Sequence, residues 1–228
     1  MNGEGFTGLD PNEALMAIAA FEAEGESVRK EMFEANKAFL DGLSNVWWSE
    51  KAKGFGGRAV PKLYEAQESI RIEFNNSIVS AVAAYNNLAQ GNGIPDNHKD
   101  EEHVDLSGTD SNMYFTNGEG FLNISANDEV GMVLADAQVL IDEFTNKVYQ
   151  IVIPHLESVP YVIAFYDPGD EMKTAWKTRV AALVKSLQDA VTFVTEDIAA
   201  QLEDEMIIVR EGAEAAAAEM NNGTNGAA

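Results

Sequence analysis

The sequence predicts an all-α protein in which two related antiparallel helical hairpins pack as a four-helix bundle, an intramolecular pseudo-dimer. Three observations predict it. Apolar residues recur at alternating three- and four-residue spacing along four long stretches, the period of helices that share a coiled-coil-like seam. The pentapeptide Asn2-Gly3-Glu4-Gly5-Phe6 returns unchanged as Asn117-Gly118-Glu119-Gly120-Phe121, which marks an internal repeat. Between the copies, residues 91–116 are rich in Gly, Asp, Asn and Ser with no apolar period, as in a linker. The chain therefore divides into a first hairpin over 1–90, a linker over 91–116, a second, diverged hairpin over 117–211 and a flexible tail over 212–228.

The first helix starts at Asp10-Pro11-Asn12-Glu13, an N-cap followed by proline at the first helical position and an acid at the third. Its seam is Ile18, Phe21, Gly25, Val28, Met32, Ala35, Phe39 and Val46. Gly25 and Ala35 in that seam allow close helix approach. After Trp47-Trp48, Gly54, Gly56 and Gly57 read as a flexible turn. The second helix then carries Val60, Leu63, Ile70, Phe74, Ile78, Ala81, Tyr85 and Leu88.

In the second copy, Ser125-Ala126-Asn127-Asp128 repeats the cap, and Val130 and Val133 correspond to Leu15 and Ile18. The third seam continues through Ala137, Leu140, Phe144, Val148 and Ile151 and is expected to break at Pro154. Asp167-Pro168-Gly169-Asp170 opens the last helix, with Met172, Trp176, Val180, Leu183, Leu187, Ala190, Val194, Ile198 and Leu202 on one stripe. From Gly212 the helix is expected to fray. Two hairpins follow from burial, because a lone hairpin leaves apolar surface wet and a second one covers it.

Charge and composition exclude several classes. Thirty-eight acidic against 15 basic side chains leave a net charge of −23, unfavourable for binding nucleic acid or anionic lipid. Cysteine is absent, so no disulfide or thiolate site is available. The start of the chain shows no basic-then-apolar leader, and Sec-type export is not expected. The apolar run from Val148 to Tyr166 is interrupted by Pro154, His155, Glu157 and Pro160, a poor membrane span.

Catalytic and metal signatures are missing as well. No Glu-x-x-His occurs, and His98, His103 and the acids around them fit no compact ligand spacing. No Walker A, GxSxG or HExxH pattern is present. The expectation is a non-enzymatic protein with no cofactor, no metal and no catalytic residues. His155, after Pro154 at an expected helix end, reads as a group satisfying terminal carbonyls.

The turn Val46-Trp47-Trp48-Ser49-Glu50-Lys51-Ala52-Lys53-Gly54-Phe55 resembles that of the WXG family, short helical hairpins exported by the type VII (ESX-type) secretion system of Gram-positive bacteria and mycobacteria. The family signature is a Trp-x-Gly turn between two helices. Trp48-Ser49-Glu50, with Ala52 and Phe55 after it, looks like the variant in which a small residue follows the Trp, although Glu50 stands at the glycine position. The second copy has no such motif. The Tyr-x-x-x-Asp/Glu export signal of the family is also missing after the second helix, where Tyr85 is followed by Ala89.

The resemblance implies a substrate or helical partner of type VII secretion, or a chaperone for another helical protein. Trp47, Trp48, Ser49, Ala52 and Phe55 would form its recognition turn. Packing of the Trp pair at the bundle end is the competing reading of the same residues. A second surface is suggested by Tyr161, Phe165 and Tyr166, aromatic groups in a connection where polar residues are the rule. The expected partner is a protein, with the chain itself a monomer holding an internal pseudo-dimer, or a homodimer. Three other readings stand beside this one. They are a structural or assembly component such as a prophage building block, a membrane-active toxin component using 151–166, and a small-molecule binder between the hairpins.

Overall fold

A computed structural model describes residues 10–48, 50–91, 93, 131–160 and 169–224. The described chain is helical apart from a two-residue antiparallel bridge. Helix α1 spans Pro11–Ser44, strand β1 Trp47–Trp48, helix α2 Glu50–Gly91 and strand β2 Gly131–Met132. Helix α3 (Leu134–Lys147) runs through a π-helical turn (Val148–Val152) into α4 (Ile153–Ser158), and α5 covers Gly169–Thr224.

The start of α1 follows its sequence. An Asp10 side-chain oxygen accepts from the backbone N–H groups of Asn12 and Glu13 at 3.0 and 3.2 Å, which satisfies two of the donors that a helix start leaves open. The corresponding cap at Ser125–Asp128 and both copies of the pentapeptide lie outside the described residues. The second copy's helix starts later than the repeat implies. Val133 is its N-cap and is exposed, whereas its counterpart Ile18 is buried.

Contacts between α1 and α2 run in opposite order along the two helices. Gly25 lies against Phe74, Arg29 reaches Glu68, and Asn36 Nδ2 donates to the Leu63 carbonyl at 3.3 Å. The same holds for α1 and the α3–α4 segment, where Gly42 meets Leu140, Phe39 meets Phe144, and Glu31 meets His155. Helices α2 and α5 are joined by Glu73–Arg179 and Arg58–Asp197. Trp176 Nε1 of α5 donates to the Val159 carbonyl at the end of α4, 3.0 Å away. Most of the described seam residues meet in a single apolar core, as a helical bundle requires.

Close approach of α1 and α2 depends on Gly25. A Cβ at that position would lie 2.5 Å from Phe74 Cδ1 and 2.7 Å from Cγ, well inside contact distance, so the ring fills the space a side chain would need. Three rings from three helices meet there. Phe21, Phe74 and Trp176 have centroids 4.9 to 5.3 Å apart, with both tryptophan contacts edge-on, the geometry that aromatic quadrupoles favour.

Three expectations about the elements need correction. Gly54, Gly56 and Gly57 belong to helix α2 rather than to a flexible turn. Each glycine costs a helix roughly 1 kcal/mol relative to alanine, but Ala52, Phe55 and Ala59, at three- and four-residue spacing, are completely buried and their burial outweighs that cost. Pro154 does not end the third helix. The preceding turn widens so that the Ile153 N–H donates to the Val148 carbonyl, five residues back, which accommodates a residue with no N–H and a ring that would crowd the Gln150 carbonyl. The extra residue rotates the stripe. Val152 and Leu156 are buried, and Ile151, expected in the seam, is 47% exposed. Finally, α5 continues through Gly212 to Thr224.

Candidate interaction site at the helix turn

The turn that carries the expected recognition residues is built by three segments. The Val46 carbonyl accepts a backbone hydrogen bond from Val133 N–H at 2.8 Å, and Trp47 and Trp48 pair with Met132 and Gly131. The end of α1 is thereby tied to the start of α3. Trp47 is fully buried, with its ring centroid 5.6 Å from that of Phe55, and Ala52 and Phe55 are fully buried beside it. The structure therefore brings Trp47, Ala52 and Phe55 together as packing. The Trp47 indole N–H is buried with no acceptor among the described residues. Trp48 is placed by its backbone alone, and Ser49 lies outside the described residues.

Tyr161, Phe165 and Tyr166, the second candidate surface, also lie outside the described residues. The segment just before them borders a cleft of about 540 Å3 whose walls include Val159, Pro160, Trp176 and Val180, with Glu157 and Lys177 beside them. The linker cluster around His98 and His103 is likewise outside the described residues. Among the described residues, no group of three or more His, Asp or Glu side chains could hold a metal ion, and no helix is long and apolar enough to cross a membrane.

His155 has a larger role than the sequence suggested. Instead of satisfying terminal carbonyls, it bridges α4 to α1. Its Nδ1 lies 2.9 Å from Glu31 Oε2, and its Nε2 lies 2.9 Å from Glu24 Oε2. A neutral imidazole can donate from only one nitrogen, so two carboxylate partners call for the doubly protonated ring. Burial lowers its proton affinity, but the hydrogen bonds to Glu24 and Glu31 and their charges more than offset this, and the pKa is raised above 6.5. One sequence signal pointed there: Glu24 and Glu31 are seven residues apart and share a face of α1.

The pH dependence follows from that sign. The folded pKa exceeds the unfolded one, so the bridge contributes fully below the unfolded value of 6.5 and is lost as pH rises through the higher folded value. His155→Gln should therefore destabilise by about 1–2 kcal/mol near pH 6. Near pH 9 the difference from wild type should largely vanish, as read by denaturant unfolding of both proteins across roughly that range.

A second group of polar residues lies in the α1–α2 seam. Arg29 is 7% exposed, and its Nε stands 3.8 Å from Glu68 Oε1, while Glu68 accepts a 2.6 Å hydrogen bond from Arg71. Burial lowers the Arg29 pKa, Glu68 partly restores it, and Arg71 lowers it again. The Gln67 amide is fully buried, and neither its oxygen nor its nitrogen has a partner among the described residues. Such a group costs about 1–3 kcal/mol. Apolar periodicity did not disclose this layer, because Arg29 stands beside the seam residue Val28, and Gln67, four residues after Leu63 and three before Ile70, is a polar side chain on the seam itself.

Comparison of the chain with protein-family models, with curated proteins and with solved structures finds no match.

Proposed function

We propose that this chain is a non-enzymatic helical partner or substrate of a type VII secretion system, in which two related hairpins form within one chain the four-helix arrangement that two WXG-type hairpins would form as a dimer. The observation that carries this reading is the double anchoring of the Trp-containing turn. Trp47 is buried on Phe55, while the backbone of Trp47 and Trp48 pairs with Met132 and Gly131 at the start of the second half. Such anchoring fixes the backbone at Trp47 and Trp48, as a recognition element requires. The covalent tether also replaces bimolecular pairing with an encounter at an effective concentration of about millimolar.

Export from a Gram-positive host tests the proposal. Wild type and Trp48→Ala are compared in strains with and without the type VII ATPase, with circular dichroism of both purified proteins as the folding control. The expected result is ATPase-dependent appearance of wild type in the medium and loss of export for a folded Trp48→Ala protein. Retention of wild type in both strains would remove type VII export from consideration. Export of both proteins would remove the turn from recognition.

A further inference from the structure

Helix α4 is held by its neighbours more than by itself. It has six residues, one of them Pro154, which has no N–H to give to a helix. Its link to α3 is the π-helical turn Val148–Val152, a break in the regular ladder of the kind at which helices bend. After Ser158 the backbone becomes extended at Val159, with φ −68° and ψ 114°. So short a helix does not persist in water alone.

Three attachments keep it in place. Ile153, Leu156 and Val159 are buried in the core. The Val159 carbonyl accepts a hydrogen bond from Trp176 Nε1 of α5 at 3.0 Å. His155 stands between Glu24 and Glu31 of α1, with a carboxylate oxygen 2.9 Å from each ring nitrogen. Of the three, only the last titrates near neutrality.

The surrounding charges leave that role to His155. From α1 the ring meets Glu24 and Glu31, while Glu34 of the same helix pairs with Lys147 at 3.9 Å. Glu157 of α4 and Lys177 of α5 border the cleft between those two helices, and Arg179 of α5 is engaged by Glu73 of α2. With two protons the imidazole donates to both carboxylates. With one, a ring nitrogen and a carboxylate face each other as two acceptors. The clamp is complete below the unfolded value of 6.5 and weakens as pH rises through the higher folded value.

We propose that α4 is a pH-operated latch: doubly protonated His155 clamps it to α1, and loss of a proton lets 153–160 swing from the π-helical turn as a unit, opening the cleft beside Trp176 while α1, α2 and α5 stay folded. The three buried apolar side chains keep the closed form in the majority at every pH, so the proton sets how often α4 opens. The inference does not depend on type VII export.

Hydrogen exchange of the full chain between about pH 6 and pH 9 tests the latch, with each rate divided by the intrinsic rate at that pH. Amides of 153–159 should exchange faster than those of 63–78 in α2 throughout, and their opening constant should rise about fivefold to tenfold across the range, the effect of losing one partly exposed charge-assisted hydrogen bond. His155→Gln should open α4 at pH 6 as often as wild type does at pH 9, with a flat profile. Glu24→Gln/Glu31→Gln should shift the rise to lower pH, because the second ring proton is then held less tightly. Circular dichroism confirms that both variants remain helical. Equal protection of 153–159 and 63–78 at every pH would overturn the proposal, since α4 would then open only when the whole bundle unfolds. A flat wild-type profile, or a rise that survives in His155→Gln, would overturn it as well.

Discussion

Phe74→Ala should cost about 3–5 kcal/mol of folding stability, the largest loss expected from a single substitution in α2. Phe74 is fully buried and joins three helices, with its ring 4.9 Å from Phe21 of α1 and 5.3 Å from Trp176 of α5. Removing it opens a cavity where two other rings meet edge-on, and they cannot close the gap without losing their own packing. For a chain of this size the melting temperature should fall by roughly 10 °C or more. The same ring accounts for Gly25. Gly25→Ala alone adds helix propensity worth about 1 kcal/mol but drives a methyl into Phe74, at an overpacking cost of about 1–3 kcal/mol. In the double variant the methyl enters vacated space, so the two changes should be less damaging together than their sum. Urea unfolding of the four proteins measures that coupling.

The second large effect is expected at the turn. Trp47→Ala should destabilise by about 3–5 kcal/mol, because it empties the site between the bundle end and Phe55, where the Trp47 ring is fully buried. Trp47→Phe should cost much less, about 1–2 kcal/mol. It keeps an aromatic ring on Phe55 and removes an indole N–H that has no acceptor among the described residues. The pair distinguishes filling of space from recognition of the indole. If Trp47→Phe lost export while remaining folded, Trp47 would contribute to recognition beyond its packing. A folded, export-competent Trp47→Phe would place recognition elsewhere on the turn.

Much of the bundle was legible because burial here is periodic. From Ile18 to Phe39, from Val60 to Tyr85 and from Trp176 to Ile198, the residues read as seam are buried, and Asp10 caps α1 as its side chain and Pro11 imply. Each of those inferences needs only one helix and its stripe. What could not be read depends on two or more segments at once. The glycines after Trp48 look like a turn until Phe55 has Trp47 to pack against. Pro154 looks like a helix end because the cost of its missing N–H is local, whereas the relief comes from a widened turn held between Phe144 and Leu156, both buried. His155 looks like a terminal group until α1 brings Glu24 and Glu31 to its two nitrogens.

At the candidate site the legible part was which residues cluster, and the illegible part was which way they point. Trp47, Ala52 and Phe55 do come together, but as buried packing. The bridge from Trp47 and Trp48 to Gly131 and Met132 had no sequence signal, since a two-residue strand has no period.

The two halves of one chain close on each other, with α2 lying against α5 of the same molecule through Arg58–Asp197 and Glu73–Arg179. Because the chain contains no cysteine, Gly57→Cys/Ala200→Cys can be spin-labelled at those two exposed positions alone and the interlabel distance measured by pulsed electron resonance. The labels sit on adjacent helices whose axes are about 8–10 Å apart. Closure within the chain requires a single short distance, roughly 20 Å with the label arms included, that persists unchanged in a large excess of unlabelled protein. A long distance, or a short one that disappears on dilution with unlabelled chains, would rule this closure out, because the second half would then pack in another way or on another molecule.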